Sequence, residues 1–89
     1  MVYDVYSILD VNVGYGAPMC HDNDAVAMRF FENAVSDKRS IWFTHCADFS
    51  LMCIGTYDTS TGELTPTPIR KVCSAFDFVS RMKGEEYVD

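Results

Sequence analysis

Two dipeptides, Cys20-His21 and His45-Cys46, set thiols beside imidazoles and so raise the question of zinc. Two Cys and two His are a valid tetrahedral set, but zinc motifs place about two to four residues between paired ligands so that both side chains can turn toward one ion. Adjacent residues do not meet that requirement, and both pairs read as loop residues with ordinary roles. A thiol nucleophile, for example Cys20 with His45 as its base, is the second chemistry, and it needs a cationic surrounding or a helix N-terminus to lower its pKa. Cys20 precedes a helix start, yet Asp22 and Asp24 surround it with negative charge, which works the other way. Gly14-Tyr15-Gly16 lies between a strand and a helix, as phosphate loops do, but lacks the third glycine and the Lys-Ser/Thr pair. The Asp and Glu residues form no paired-carboxylate signature. The expectation is a protein with no enzymatic activity, no metal and no cofactor.

Recognition chemistry is better represented. Arg70-Lys71 follows Thr67-Pro68, which reads as a helix N-cap with proline at the first helical position. Two bases in a first turn oppose the helix dipole, and a phosphate bound there would compensate, held by backbone N–H groups with Arg70 and Lys71. Lys38-Arg39 lies close in sequence to Trp42 and Phe43, and these rings, with Tyr15 and Tyr57, could stack on single-stranded bases. The candidate nucleic-acid-binding set is accordingly Lys38, Arg39, Arg70, Lys71, Trp42 and Phe43. The competing reading makes the bases solvated and the aromatics part of a core or an oligomer interface.

Charge weighs on that choice. The chain carries 13 acids against 7 Lys and Arg, a formal charge of −6, which argues against a general nucleic-acid binder, whose phosphate affinity comes from clustered bases. The first 28 residues hold Asp4, Asp10, Asp22 and Asp24 and no base, while Glu85, Glu86 and Asp89 crowd the end. Eighty-nine residues make one domain, read as 1–83 with an acidic, frayed tail over 84–89, and 48% hydrophobic residues suffice for a core. No apolar run approaches the ~20 residues of a membrane span, and the MVYDVY start lacks the basic flank of a secretion signal, so a cytosolic, membrane-free protein is expected. Without a secretory context the four cysteines read as free thiols, with Cys53 and Cys73 as small core hydrophobes.

The elements that must position these residues follow from periodicity. Val2 to Leu9 alternates as a strand with two largely apolar faces, and residues 12–18, holding Gly14, Gly16 and Pro18, read as a loop. Asp22-Asn23-Asp24 supplies an N-cap, and Ala27, Phe30, Phe31, Ala34 and Val35 then recur at helical spacing. Ile41-Trp42-Phe43 is an apolar cluster that either packs beneath the neighbouring loop or forms a contact surface. Phe49 to Ile54 is dense enough for an interior strand covered on both sides, Asp58 to Gly62 a turn, and Glu63 to Thr65 a short returning strand ended by Pro66 and Pro68. Val72, Ala75, Phe76 and Val79 form a second helical stripe closed by Gly84. The expected fold is an α+β domain of order β-α-β-β-α, a three-stranded sheet with two helices packed on one face. If the first two strands run parallel, the first helix is a right-handed crossover between them. A homodimer that pairs sheet edges or covers the open face would answer the small size of the core.

Several of these segments together resemble one family. They are VYSILD near the start, Pro18 after a loop with an aromatic, the helix AVAMRFFENAVSD, His45, Asp48-Phe49-Ser50-Leu51, and above all IGTYDTSTGELT followed by Thr67-Pro68. Over about residues 5–76 the chain is similar to the small non-structural proteins of gokushovirus-type microviruses, single-stranded DNA phages of bacteria, also called the phage fifth-reading-frame protein family. Cys46 stands where the pattern has proline, and Cys53 where it has glycine or a polar residue. The resemblance implies a protein made in the host bacterial cytoplasm, absent from the capsid, and acting in viral DNA replication or in single-strand synthesis and packaging. It brings no catalytic residues. Two mechanisms follow: binding of single-stranded DNA through the set named above, or an adaptor that contacts a replication initiator, a host helicase or the procapsid without touching DNA.

Overall fold

The computed structural model describes residues 1–86, with side chains described as far as Met82. Strands β1 (Val2–Asp10), β2 (Gly14–Tyr15) and β3 (Met19–His21) precede helix α1 (Asp24–Val35), the single-turn helix α2 (Ile41–Thr44) and a 3-10 turn (Cys46–Asp48). Strands β4 (Phe49–Asp58) and β5 (Glu63–Ser74) then form a long hairpin that leads into α3 (Ala75–Glu86). Five strands make one antiparallel sheet in the order β2-β1-β4-β5, with β3 also paired to β1. No helix among the described residues is long and apolar enough to cross a membrane.

This is a mostly-sheet fold, not the expected three-stranded sheet with two helices. Residues 12–18 are not a plain loop, because Gly14 returns opposite Asp10 and Met19 opposite Tyr6, adding two short strands to one edge of β1. Nor does a crossover join parallel strands, since β1 and β4 pair antiparallel along nine residue pairs. The largest difference lies after the turn. Thr67-Pro68 does not cap a helix; it belongs to β5, where the ladder offered by β4 outweighs the local start signal. Both prolines sit at the sheet edge, and Thr67 to Ile69 arch out where the register slips between Cys53 and Gly55. Proline is tolerated at an edge or bulge because no ladder donor is lost. The second helix begins at Ala75 and runs past Gly84, and the tail expected over 84–89 extends beyond the described residues.

Two local devices fix the helix starts. Asn23 accepts from the Val26 amide (3.0 Å) at the head of α1. For α3 the Ser74 hydroxyl accepts from the Asp77 amide (3.3 Å) while the Asp77 carboxylate accepts from the Ser74 amide (3.1 Å), a reciprocal cap. Both long helices pack on the sheet face that carries Tyr6, Leu51 and Cys53, and Phe31 and Val35 of α1 meet Phe78 and Val79 of α3 there. Along β4 the buried residues are alternate, Phe49, Leu51, Cys53 and Gly55, so the strand is interior to the sheet but covered fully on one face only. Phe30 of the expected α1 stripe and Phe76 of the expected α3 stripe point outward instead.

The core stops short of the sheet's far end. No member of the packed cluster on β4 lies beyond Cys53, and none on β1 lies before Tyr6. The remaining three-stranded ribbon extends the molecule to 51 × 27 × 21 Å, and its radius of gyration of 14.3 Å exceeds the about 12 Å of a compact chain this long. Gly55 sits where the ribbon leaves the core. A Cβ there would lie 2.5 Å from the Thr65 carbonyl oxygen, so only glycine lets the two strands approach this closely through the irregular register. Gly62, at φ 74, closes the hairpin turn in the left-handed region.

Candidate functional site

The structure divides the six residues of the expected nucleic-acid set between two places: Lys38, Arg39, Trp42 and Phe43 fall in the turn after α1 and on α2, and Arg70 and Lys71 on β5. Arg70 and Lys71 are consecutive on β5, opposite Cys53 and Met52 of β4, so they project from different faces of the sheet. Arg70 lies on the helix side and is engaged: its guanidinium donates to both carboxylate oxygens of Asp24, at 2.8 and 3.0 Å. Asp24 opens α1 and also accepts from the Tyr6 hydroxyl at 2.6 Å. One carboxylate thus joins β1, α1 and β5. The Arg70 and Tyr6 hydrogen bonds hold the Asp24 carboxyl below the usual carboxylate range. Burial, then the hydrogen bond to Asp24, pushes the Tyr6 phenol far above its ordinary value.

Lys38 and Arg39 lie in the turn after α1, and Arg39 bonds back to Asp37 at 3.3 Å. Trp42 and Phe43 pack against the core, Trp42 with ring centroids 6.3 Å from Phe31 and 6.4 Å from Phe49. Both rings are half-buried, Trp42 also forming part of an open groove, and Ile41 of that cluster is exposed. The two Cys/His dipeptides are likewise apart in structure: Cys20-His21 belongs to β3, and His45-Cys46 sits between α2 and the 3-10 turn. Among the described residues no group of three or more His, Cys, Asp or Glu could hold a metal ion. His21 is stacked between Tyr6 and Phe30, at 5.7 and 5.3 Å, with its Nε2 buried and unpaired.

Exposed apolar side chains do converge, at the end of the sheet opposite the ribbon. Three residues connect β1 to β2, and Val11 and Val13 flank Asn12 there, with Val13 86% exposed. Asn12 holds the turn, accepting nothing from the valines but donating its amides to Asp10 (2.9 Å) and Asp48 (3.2 Å). Behind the turn lies an open groove of about 390 Å³, lined by Ile8, Val13, Tyr15, Met19, Phe30 and Trp42, with Asp10 as its only charged wall. Phe30 is 50% exposed on α1, one position from the fully buried Phe31. A smaller cavity of about 180 Å³ adjoins it through Asp10 and Phe49 and includes Ile41, His45 and Asp48.

Sequence reasoning missed this surface, although it left two signs. A turn normally takes Gly, Asn, Asp or Ser, so valines on both sides of Asn12 are out of place unless they serve a contact. The doublet Phe30-Phe31 is the second sign, because adjacent positions on a helix face about 100° apart and cannot both point into one core. A wide stripe counted Phe30 as core; with Phe31 directed into the core, its neighbour is left half exposed.

No curated protein and no solved structure gives a significant match. A family model described as Phage ORF5 protein does match, over residues 3–78, a span that runs from the first strand through the capped start of α3 and includes every element that builds the groove and the Asp24 network. The chain therefore belongs to the Phage ORF5 protein family.

Proposed function

We propose that this chain is a non-enzymatic accessory protein of a small phage, acting in genome replication or in single-strand synthesis and packaging by docking on another protein, not by gripping DNA. The observation that carries the reading is the groove between the β1–β2 turn and α1, an open concavity with almost wholly apolar walls, bordered by the exposed side chains of Val13, Tyr15 and Phe30. Its walls offer one charged group and few polar ones, a lining suited to apolar anchors from a protein partner. The charge of −6 and the separation of Lys38 and Arg39 from Lys71 support the same choice.

Fluorescence anisotropy with a labelled single-stranded oligonucleotide at low salt tests it. No binding is expected. Salt-dependent binding that Lys38→Glu with Lys71→Glu abolishes would instead establish the DNA mechanism, and this pair leaves the Arg70–Asp24 bonds in place. In a complementary measurement, Val13→Ser is expected to weaken co-sedimentation with the phage's replication or procapsid proteins.

A further inference from the structure

We infer that the groove receives a segment of another protein whose large apolar side chains are flanked by lysine or arginine. The inference rests on the docking function proposed above and adds the chemistry of the partner. Asp10 forms a wall of the groove and of the cavity beside it, and Asp48 borders that second cavity. Among the described residues both carboxylates accept from Asn12, and neither forms a salt bridge there. Two acids are therefore held at the rim by one asparagine, with no cation among the described residues paired to them. Arg29 of α1 lies on a different cavity, with His21 and Val26, and Glu32 stands beside it. His45, across the smaller cavity, bonds to the Thr44 hydroxyl at 2.9 Å.

The rim also decides against a second copy of this chain as the occupant. A twofold contact sets the same patch against itself, and because no Lys or Arg lines the groove or the cavity beside it, the acids of both copies would share one interface with no such cation to offset them, which opposes association. A basic flank reverses the sign of that term. Val13 and Phe30, exposed on either side of the groove, supply the apolar contact, and the acids select the partner and speed its approach.

The test uses two helix-forming synthetic peptides of equal length, one built of Leu and Lys and one of Leu and Glu, titrated into the labelled protein and followed by amide chemical shifts and calorimetry. The Lys peptide is expected to shift residues 11–17, 30 and 41–42 and to bind at least about tenfold more tightly than the Glu peptide. Raising salt should weaken it, and Asp10→Asn with Asp48→Asn should remove most of that salt dependence while keeping the acceptors for Asn12. Val13→Ser, at an exposed position that leaves folding intact, should weaken binding about tenfold. Equal affinity for both peptides at the groove would overturn the basic partner and leave protein docking standing. Shifts elsewhere, no binding of the Lys peptide, or a concentration-dependent dimer that Val13→Ser dissociates would overturn the inference outright, whereas oligonucleotide binding in the anisotropy assay would overturn the docking function itself.

Discussion

Asp24 is the residue on which the most geometry depends, because it takes hydrogen bonds from a strand tyrosine and an edge-strand arginine while opening a helix. Its folded-state pKa is depressed, so its contribution to stability is present in full above the ordinary carboxyl pKa of about 4 and is lost as pH falls through the lower folded value. Chemical denaturation at neutral pH and at acid pH should therefore show Asp24→Asn and wild type converging in acid. Because the Asp24 and Arg70 side chains are 39% and 51% exposed, solvent screening limits the neutral-pH difference to about 1 kcal/mol. The thiols give a second residue-scale prediction. Burial, with Asp77 nearby, pushes the Cys73 thiol up to about 11, whereas Cys20 is exposed on β3. A thiol reagent at neutral pH should label Cys20 first and reach Cys53 and Cys73 only on unfolding, as mass spectrometry of the labelled peptides would record. Rapid labelling of Cys73 in the native protein would contradict its place in the core.

At the scale of elements, the hairpin β4–β5 does two jobs with one irregularity. Its register slips allow β5 to carry Arg70 onto the helix side and still deliver Cys73 and Ser74 to the start of α3. Gly55 makes this feasible, and Gly55→Ala must displace the Thr65 carbonyl. Urea titration should show a loss of roughly 1–3 kcal/mol, the range of an overpacked site; no loss would mean that the two strands lie further apart. Much of this level was legible in advance. The N-cap at Asn23, the 3.6-residue spacing of Ala27, Phe31 and Val35, and the turn ending at Gly62 each report a local preference that the tertiary structure keeps. The start of the last helix was not legible, because Thr67-Pro68 satisfies the rule for a helix start and the rule for an edge strand equally well. Only the presence of β4 alongside decides between them.

For the whole molecule, one small core bears the cost of ordering a long sheet. Phe31 is fully buried and contacts Phe78 at 6.0 Å and Trp42 at 6.3 Å, so it ties α1 to α3 and to α2. Phe31→Ala should cost about 3–5 kcal/mol, a large share of the stability of a domain this size, and a circular-dichroism melt should show it partly unfolded at room temperature. Phe30→Ala, one residue away, should leave the melt nearly unchanged. That contrast separates the residue that holds the fold from the neighbour that faces the groove.

By itself, the sequence determined the net acidity, the amphipathic helix from Asp24, the hairpin turn that ends at Gly62, and the phage family, because each depends on residues close together in the chain. Tertiary structure alone decided that β1 pairs antiparallel with β4, that residues 12–18 fold back as two added strands, and that Arg70 is held by Asp24 from 46 positions away. It also decided that Trp42 packs partly against the core and that Phe30 faces outward. The physical reason is the same in each case: which apolar side chain is covered, and which charge finds a partner, depends on surfaces brought together from distant segments, and no local periodicity carries that information.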